Sequence, residues 1–265
     1  MKIKDLIEKS WCGIDCYIKD EDSFNKIYSY ILHNEPILKL FKGIVIASNF
    51  SDYSLYTISD KFWKEILPNC ITINLKKNRG HSFGTADLDN TLFDTCKKEK
   101  ATWMCKMSSD FILKEELLDR EVGTADFYYT NNIGYGGIEK WNFNTEAIID
   151  NAFLPQTNFY FLKISKIDWL NNKSYIDKTY EEIQNIDNYS GKPWEYFPYW
   201  TCEDFLKETV LKHKLQKENL LTNKEQKKLI ETIITYKIHD GSHKNILVGG
   251  MCHLHDPYSP VILIS

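Results

Sequence analysis

The residues most able to do chemistry fall in four clusters. Ser108-Ser109-Asp110 closes an apolar run, and a carboxylate at the end of a strand can hold a divalent cation that bridges two phosphates. The same triplet also suits a plain turn, since Asp often opens one. Asn78-Arg79-Gly80-His81-Ser82-Phe83-Gly84 places two glycines ahead of a helical stretch, where the backbone can approach a phosphate or a ribose. It is neither G-x-G-x-x-G nor a Walker motif, and a strand-to-helix loop needing positive φ accounts for it equally well. Glu203-Asp204 follows the aromatic stretch Trp194-Glu-Tyr-Phe-Pro-Tyr-Trp200. Paired acids beside aromatics can supply a general base against a sugar face, although acids also favour the first turn of any helix.

The fourth cluster is the tail, with His239, His243, His253 and His255. If 252–255 is extended, His253 and His255 share a face and can share a ligand or a metal. Asp240-Gly241 breaks the helix that would pair His239 with His243, and the single Cys252 argues against structural zinc. Tyr128, Tyr129, Asn131, Asn132 and Tyr135-Gly-Gly137 could line a sugar pocket or form a solvent-facing turn.

These residues need a scaffold, and the hydropathy pattern supplies one. Gly43-Ile-Val-Ile-Ala-Ser48, Cys70-Ile-Thr-Ile-Asn-Leu75 and Thr102-Trp-Met-Cys-Lys-Met107 read as short, buried strands, and Ala125-Asp-Phe-Tyr-Tyr-Thr130 as a fourth. Helices are predicted over 23–32, stopping before Glu35-Pro36, over 59–67, and from a cap at Thr85 to about Lys98. The alternation predicts an α/β fold with a mostly parallel sheet over about the first 130 residues and its polar loops at the strands' carboxyl ends. A strand is expected over 158–164, then helices over 202–217 and 223–236, giving a helical C-terminal part. No repeat or linker divides the chain, so 1–265 reads as one domain.

The chain has 265 residues, 43% apolar and 26% charged, enough to bury a sizeable core and too ordered in composition for disorder. A net charge of −4 provides no global field for nucleic acid. No apolar run reaches the roughly 20 residues that span a bilayer, and stable membrane insertion is not expected. Seven cysteines at irregular spacing do not form a disulfide framework, which points to a soluble protein of the cytoplasm.

In their order, these features resemble a glycosyltransferase of the GT-A fold, in the style of the inverting family-2 enzymes. The resemblance rests on Ile44-Val-Ile-Ala-Ser48, Asn78-Arg-Gly80 with Gly84, Trp103-Met-Cys-Lys-Met-Ser-Ser-Asp110, Phe153-Leu-Pro-Gln-Thr-Asn-Phe-Tyr160, Glu203-Asp204 and His253-Leu-His255, and spans roughly 43–256. It implies a nucleotide-sugar-binding half over about 43–130 and an acceptor and catalytic half over about 131–256. Ser48, Asn78, Gly80, His81, Ser109 and Asp110 would contact the donor. Asp110, His253 and His255 would hold Mn²⁺ or Mg²⁺, and Asp204, with Glu203 beside it, would be the catalytic base. The partners implied are a nucleotide-sugar donor and a saccharide or other hydroxyl acceptor. Ser108 replaces the first acid of the DxD motif, and the Q-x-x-R-W signature of processive synthases is absent. Two rivals follow. A non-catalytic sugar- or nucleotide-binding protein of this fold would suit Ser108. A sugar-phosphate nucleotidyltransferase would show a glycine-rich basic loop before residue 78, and none is visible.

Overall fold

The computed structural model describes residues 1–49, 51, 53–133, 138–139, 144–151, 153–187, 202–238, 245–254 and 261–264. After a short helix α1 (Ile3–Ile7), the chain alternates: β1 (Ser10–Cys16), α2 (Glu21–Leu38), β2 (Gly43–Ser48), α3 (Tyr53–Ile66), β3 (Cys70–Asn74), α4 (His81–Lys98) and β4 (Trp103–Ser108). The four strands are parallel, in spatial order β3-β2-β1-β4. The central sheet then changes direction. β7 (Pro155–Lys163) lies antiparallel between β4 and β6 (Phe127–Asn131), and β8 (Lys217–Asn219) runs parallel to β6 at the edge. The architecture is therefore α/β, with a seven-stranded, mostly parallel sheet flanked by helices.

Every residue of β2 and of β4 is buried, as their continuous apolar runs require when both faces are covered. Alternate residues serve two cores. Ile44, Ile46, Trp103, Cys105 and Met107 face one side, and Val45, Ala47 and Met104 pack with Leu88, Leu92 and Phe93 of α4 on the other. At Gly13 a Cβ would lie 3.1 Å from that of Leu92, so the missing side chain lets α4 close onto β1. A second, four-stranded sheet joins β5 (Phe111–Leu113) to β10 (Met251–His253), β9 (Ile246–Val248) and β11 (Ile262–Ile264). Further α-helices among the described residues are α5 (Thr145–Asn151), α6 (Lys173–Gln184), α7 (Cys202–Lys212) and α8 (Asn223–Tyr236).

Several expectations need correction. β1, in the middle of the sheet, comes from residues 10–16, ahead of any predicted strand. α2 runs through Pro36 to Leu38; proline lacks only one amide donor in this last turn, and Lys39 N still closes on Glu35 O. α4 begins four residues before Thr85, on Gly80, whose φ of 84° serves the entry that a capping side chain would otherwise make. The helix predicted over 202–217 stops at Lys212, and Lys217 already belongs to β8. The fourth strand begins at Phe127 rather than Ala125, and the next at Pro155 rather than Asn158. No described helix is long and apolar enough to cross a membrane, and all seven cysteines are free thiols.

Candidate functional site

Ser48, Ser109 and Asp110 lie at the carboxyl ends of the parallel strands, where β1 holds two loops side by side. Ser109 N donates to Asp15 O (3.0 Å) and Asn49 N to Cys16 O (2.8 Å), so the loops after β4 and β2 hang from consecutive residues. Ser48 is buried and its hydroxyl bonds to Ser51 Oγ, so it shapes this loop rather than facing outward. Asn49 Nδ2 donates to Asn78 Oδ1 at 3.0 Å, and the same oxygen accepts from Gly80 N at 2.8 Å. A Cβ on Gly84 would lie 2.5 Å from Asn49 Nδ2, whereas one on Gly80 would meet nothing within 4 Å. Gly84 is thus needed for packing, and Gly80 for its backbone conformation. The side chain of His81 lies outside the described residues. Arg79 is buried against acids, Nε–Asp87 Oδ2 at 2.6 Å and Nη1–Asp177 Oδ1 at 2.7 Å, and clamps the loop onto α4 and α6.

On the other side of β1, Asp110 meets His253. β10 pairs antiparallel with β5, placing His253 opposite Phe111, and Leu254 N donates to Asp110 O at 3.0 Å. The imidazole stacks on Phe111, and Phe111 on Phe159. His253 Nε2 then lies 2.9 Å from Asp110 Oδ2, joining residues 143 positions apart. Burial alone would raise the Asp110 carboxyl, but the adjacent His253 outweighs it and holds the group below the usual carboxylate range. Behind the ring, Asn158 Nδ2 lies 3.1 Å from His253 Nδ1, and Ser108 Oγ donates to Asn158 Oδ1 at 3.2 Å.

Beneath these residues is a buried charge cluster that the sequence analysis overlooked. Lys106 is fully buried; its Nζ donates to Ser108 Oγ (3.0 Å) and to the Thr157 carbonyl, and faces Asp15 Oδ1 at 3.2 Å and Asp89 Oδ1 at 3.8 Å. Both carboxylate oxygens are held by charge rather than by a hydrogen bond. Burial pushes the Asp89 carboxyl up to about 7, with Lys106 opposing and Asp15 adding to the shift. The signal was present. Lys106 is the one cation in an apolar strand, and Asp89 sits between Leu88 and Leu92 on the α4 face turned to that strand.

The acids of α7 join through β7. Thr157 Oγ1 lies 3.4 Å from Glu203 Oε1, and the buried Cys202 Sγ lies 3.2 Å from Glu203 Oε2. Asp204 follows in the first helical turn, half-buried, where the helix dipole favours a negative charge. Tyr128 and Tyr129 line no sugar pocket. Both are buried in the sheet, with Tyr128 OH donating to Gly123 O at 3.0 Å and Tyr129 packed on Phe153. Asn131 Oδ1 accepts from Leu154 N at 3.3 Å and so holds the β6–β7 loop. The aromatic stretch 194–200, residues 135–137, His239, His243 and His255 lie outside the described residues. Among the described residues no three His, Cys, Asp or Glu side chains are grouped to hold a metal.

No known protein family and no curated protein matches the sequence. Solved structures are similar to the chain, three of them as follows. The galactosyltransferase LgtC, in complex with donor and acceptor sugar analogues, has 8% identity over 93% of this chain and 87% of its own, with a TM-score of 0.49. Residues 1–349 of TarS from S. aureus give 12% identity over 79% of this chain and 57% of that one, with a TM-score of 0.41. A longer TarS structure gives 11% identity over 86% and 39%, with a TM-score of 0.40. The chain spans little more than half of the shorter TarS chain and under half of the longer one.

The arrangement offers an acidic residue paired with a histidine, a glycine-bearing helix entry and a pair of acids. Asp110 Oδ2 and His253 Nε2 are hydrogen-bonded to each other at 2.9 Å, and a carboxylate with an imidazole is a donor pair of the kind that suits Mn²⁺ better than Mg²⁺.

Proposed function

We propose that the protein transfers one sugar from a nucleotide-diphosphate donor to a hydroxyl acceptor, with inversion. One observation carries this reading. Asp110, Asn158, Glu203 and His253, spread over residues 110–253, connect through hydrogen bonds at the carboxyl edge of a mostly parallel sheet. That edge is where open α/β sheets take ligands. The diphosphate would lie against Ser109 and Asp110, and the nucleoside by Asn78, Gly80 and His81, with Ser48 shaping the loop beneath. Asp110 and His253 would hold a divalent cation, which supplies compensation for negative charge on the departing diphosphate.

Asp204 is the proposed base. Its carboxylate takes the proton of the acceptor hydroxyl; the acceptor oxygen bonds to the anomeric carbon from the face opposite the nucleotide, and the bond to the diphosphate breaks. A single displacement inverts the configuration. Glu203, tied to Thr157 and Cys202, orients the helix start. Ser108 supports a second reading, a non-catalytic nucleotide-sugar-binding protein, because its hydroxyl is committed to Lys106 and Asn158 where a second acid would serve a cation.

The test is a thermal-shift screen of nucleotide-diphosphate sugars with and without Mn²⁺, followed by assay of nucleotide release with the donor that binds. A ligand at 100 times its Kd adds about 2.7 kcal/mol of stability. A Mn²⁺-dependent shift with turnover supports transfer, and a shift without turnover supports the binding protein. No shift with any donor sinks both. Asp204→Asn is expected to lose turnover and keep donor affinity; retained turnover would overturn the assignment of the base.

A further inference from the structure

The hydrogen bonds from Lys106 to Asp110 run in one direction. An ammonium only donates. Lys106 Nζ donates to Ser108 Oγ at 3.0 Å, and the Ser108 hydroxyl proton goes to Asn158 Oδ1 at 3.2 Å. With its oxygen so engaged, the Asn158 amide turns Nδ2 toward His253 Nδ1, 3.1 Å away. A ring nitrogen that accepts carries no proton, so a neutral His253 carries its proton on Nε2, 2.9 Å from Asp110 Oδ2. The tautomer is deduced from this sequence of donors and acceptors.

We infer that Asn158 is a positioning residue that sets His253 as the Nε2–H tautomer, and that His253 can give Nε2 to a divalent cation only when the Asn158 amide turns over. A neutral imidazole keeps one proton. If Nε2 gives its lone pair to a cation, the proton moves by solvent exchange to Nδ1, where the present amide offers a second donor instead of an acceptor. Turned by 180°, the amide presents Oδ1 to Nδ1–H and Nδ2 to Ser108 Oγ, which can accept. Proton count and charge are unchanged. Cation loading is thereby coupled to one side-chain rotation in β7, on the inner side of the ring from Asp110. The inference deepens the metal-assisted reading of the site, yet its measurement involves no sugar donor.

The test uses the full chain without a cation, at a pH where the ring is neutral. Long-range ¹H–¹⁵N correlation is expected to show Nε2–H for His253 in the wild type and Nδ1–H in Asn158→Asp, whose carboxylate can only accept. Mn²⁺ alone, followed by water-proton relaxation, is expected to bind Asn158→Asp about tenfold more tightly, the scale on which partners behind a metal-binding histidine act. Asn158→Ala removes the competing donor without adding charge and is expected to bind Mn²⁺ more tightly than wild type but less than Asn158→Asp. It carries the binding test alone if Asn158→Asp does not fold. A wild-type Nδ1–H tautomer overturns the inference, and so does a gain in affinity confined to Asn158→Asp, which charge alone explains. Failure of every sugar donor to bind, with the tautomer as expected, overturns the transfer reading and leaves this one standing.

Discussion

At the parallel end of the sheet, Asn49 and Asn78 meet across 29 residues of chain, around two glycines and between neighbouring strands. At the mixed end, Ser108 reaches Asn158 across 50 residues, Thr157 reaches Glu203 across 46, and Asp110 reaches His253 across 143. The first region is shaped by local backbone geometry and small amides. The second is assembled from four separate stretches of chain over a buried ammonium. Local geometry tolerates the loss of one contact, because the flanking strands and α4 still define the loop. Long-range assembly depends on the few groups that touch several stretches at once, and Lys106 touches β1, β4, β7 and α4.

The sharpest way to break this contrast is Lys106→Met. Removing one partner of a buried ion cluster costs about 3–5 kcal/mol, because the remaining charges are left uncompensated. Urea unfolding should show a loss of that size, and a loss below about 1 kcal/mol would mean that Lys106 does not hold the stretches of the mixed end together. Asp89 provides the next largest effect. Its carboxyl is pushed from 3.8 unfolded to about 7 when folded, so between those pH values the native state binds more protons than the unfolded state. The contribution is a penalty. It is absent below about pH 4, grows as pH rises toward about 7 and is constant above. Asp89→Asn should therefore be more stable than wild type at pH 8, by at most about 4 kcal/mol, with the gain vanishing near pH 4. Equal pH profiles for the two proteins would remove Asp89 from the cluster.

Gly84→Ala probes the local region. The added methyl forces Asn49 off Asn78, at about 1–3 kcal/mol for an overpacked position, and should weaken donor binding without moving the His253 tautomer. A changed tautomer would show that the two regions are coupled after all. The smallest effect belongs to Thr222→Ala, which removes the capping box that Thr222 forms with Glu225 at the start of α8. About 1 kcal/mol should be lost in thermal unfolding, with donor affinity unchanged.

The parts of the fold that were legible in the sequence are those with one strong, local cause. β2 and β4 read directly from continuous apolar runs, and the helix expected over 223–236 coincides with α8, whose start Thr222 caps locally. β1 was not legible. Ser10-Trp-Cys-Gly-Ile-Asp-Cys16 mixes polar and small residues, each required by something distant: Gly13 by Leu92, and Asp15 by Lys106. The start of α4 was misplaced because Gly80 enters the helix through positive φ, a device that leaves no capping side chain to read. In the site, Asp110, His253 and Glu203 stood out as residue types and by resemblance to an ordered set of motifs. Asn158 and Lys106 did not, since their chemistry exists only once α4, β7 and β10 surround them.

The pairing of β10 with β5 has a consequence in time. Residue 110 leaves the ribosome 143 positions before its partner, which at 5–20 residues per second is roughly 7–30 s. For that interval the parallel strands can form while Asp110 has no imidazole beside it. The nascent chain can therefore form the loops after β2 and β3 well before its acid–histidine pair.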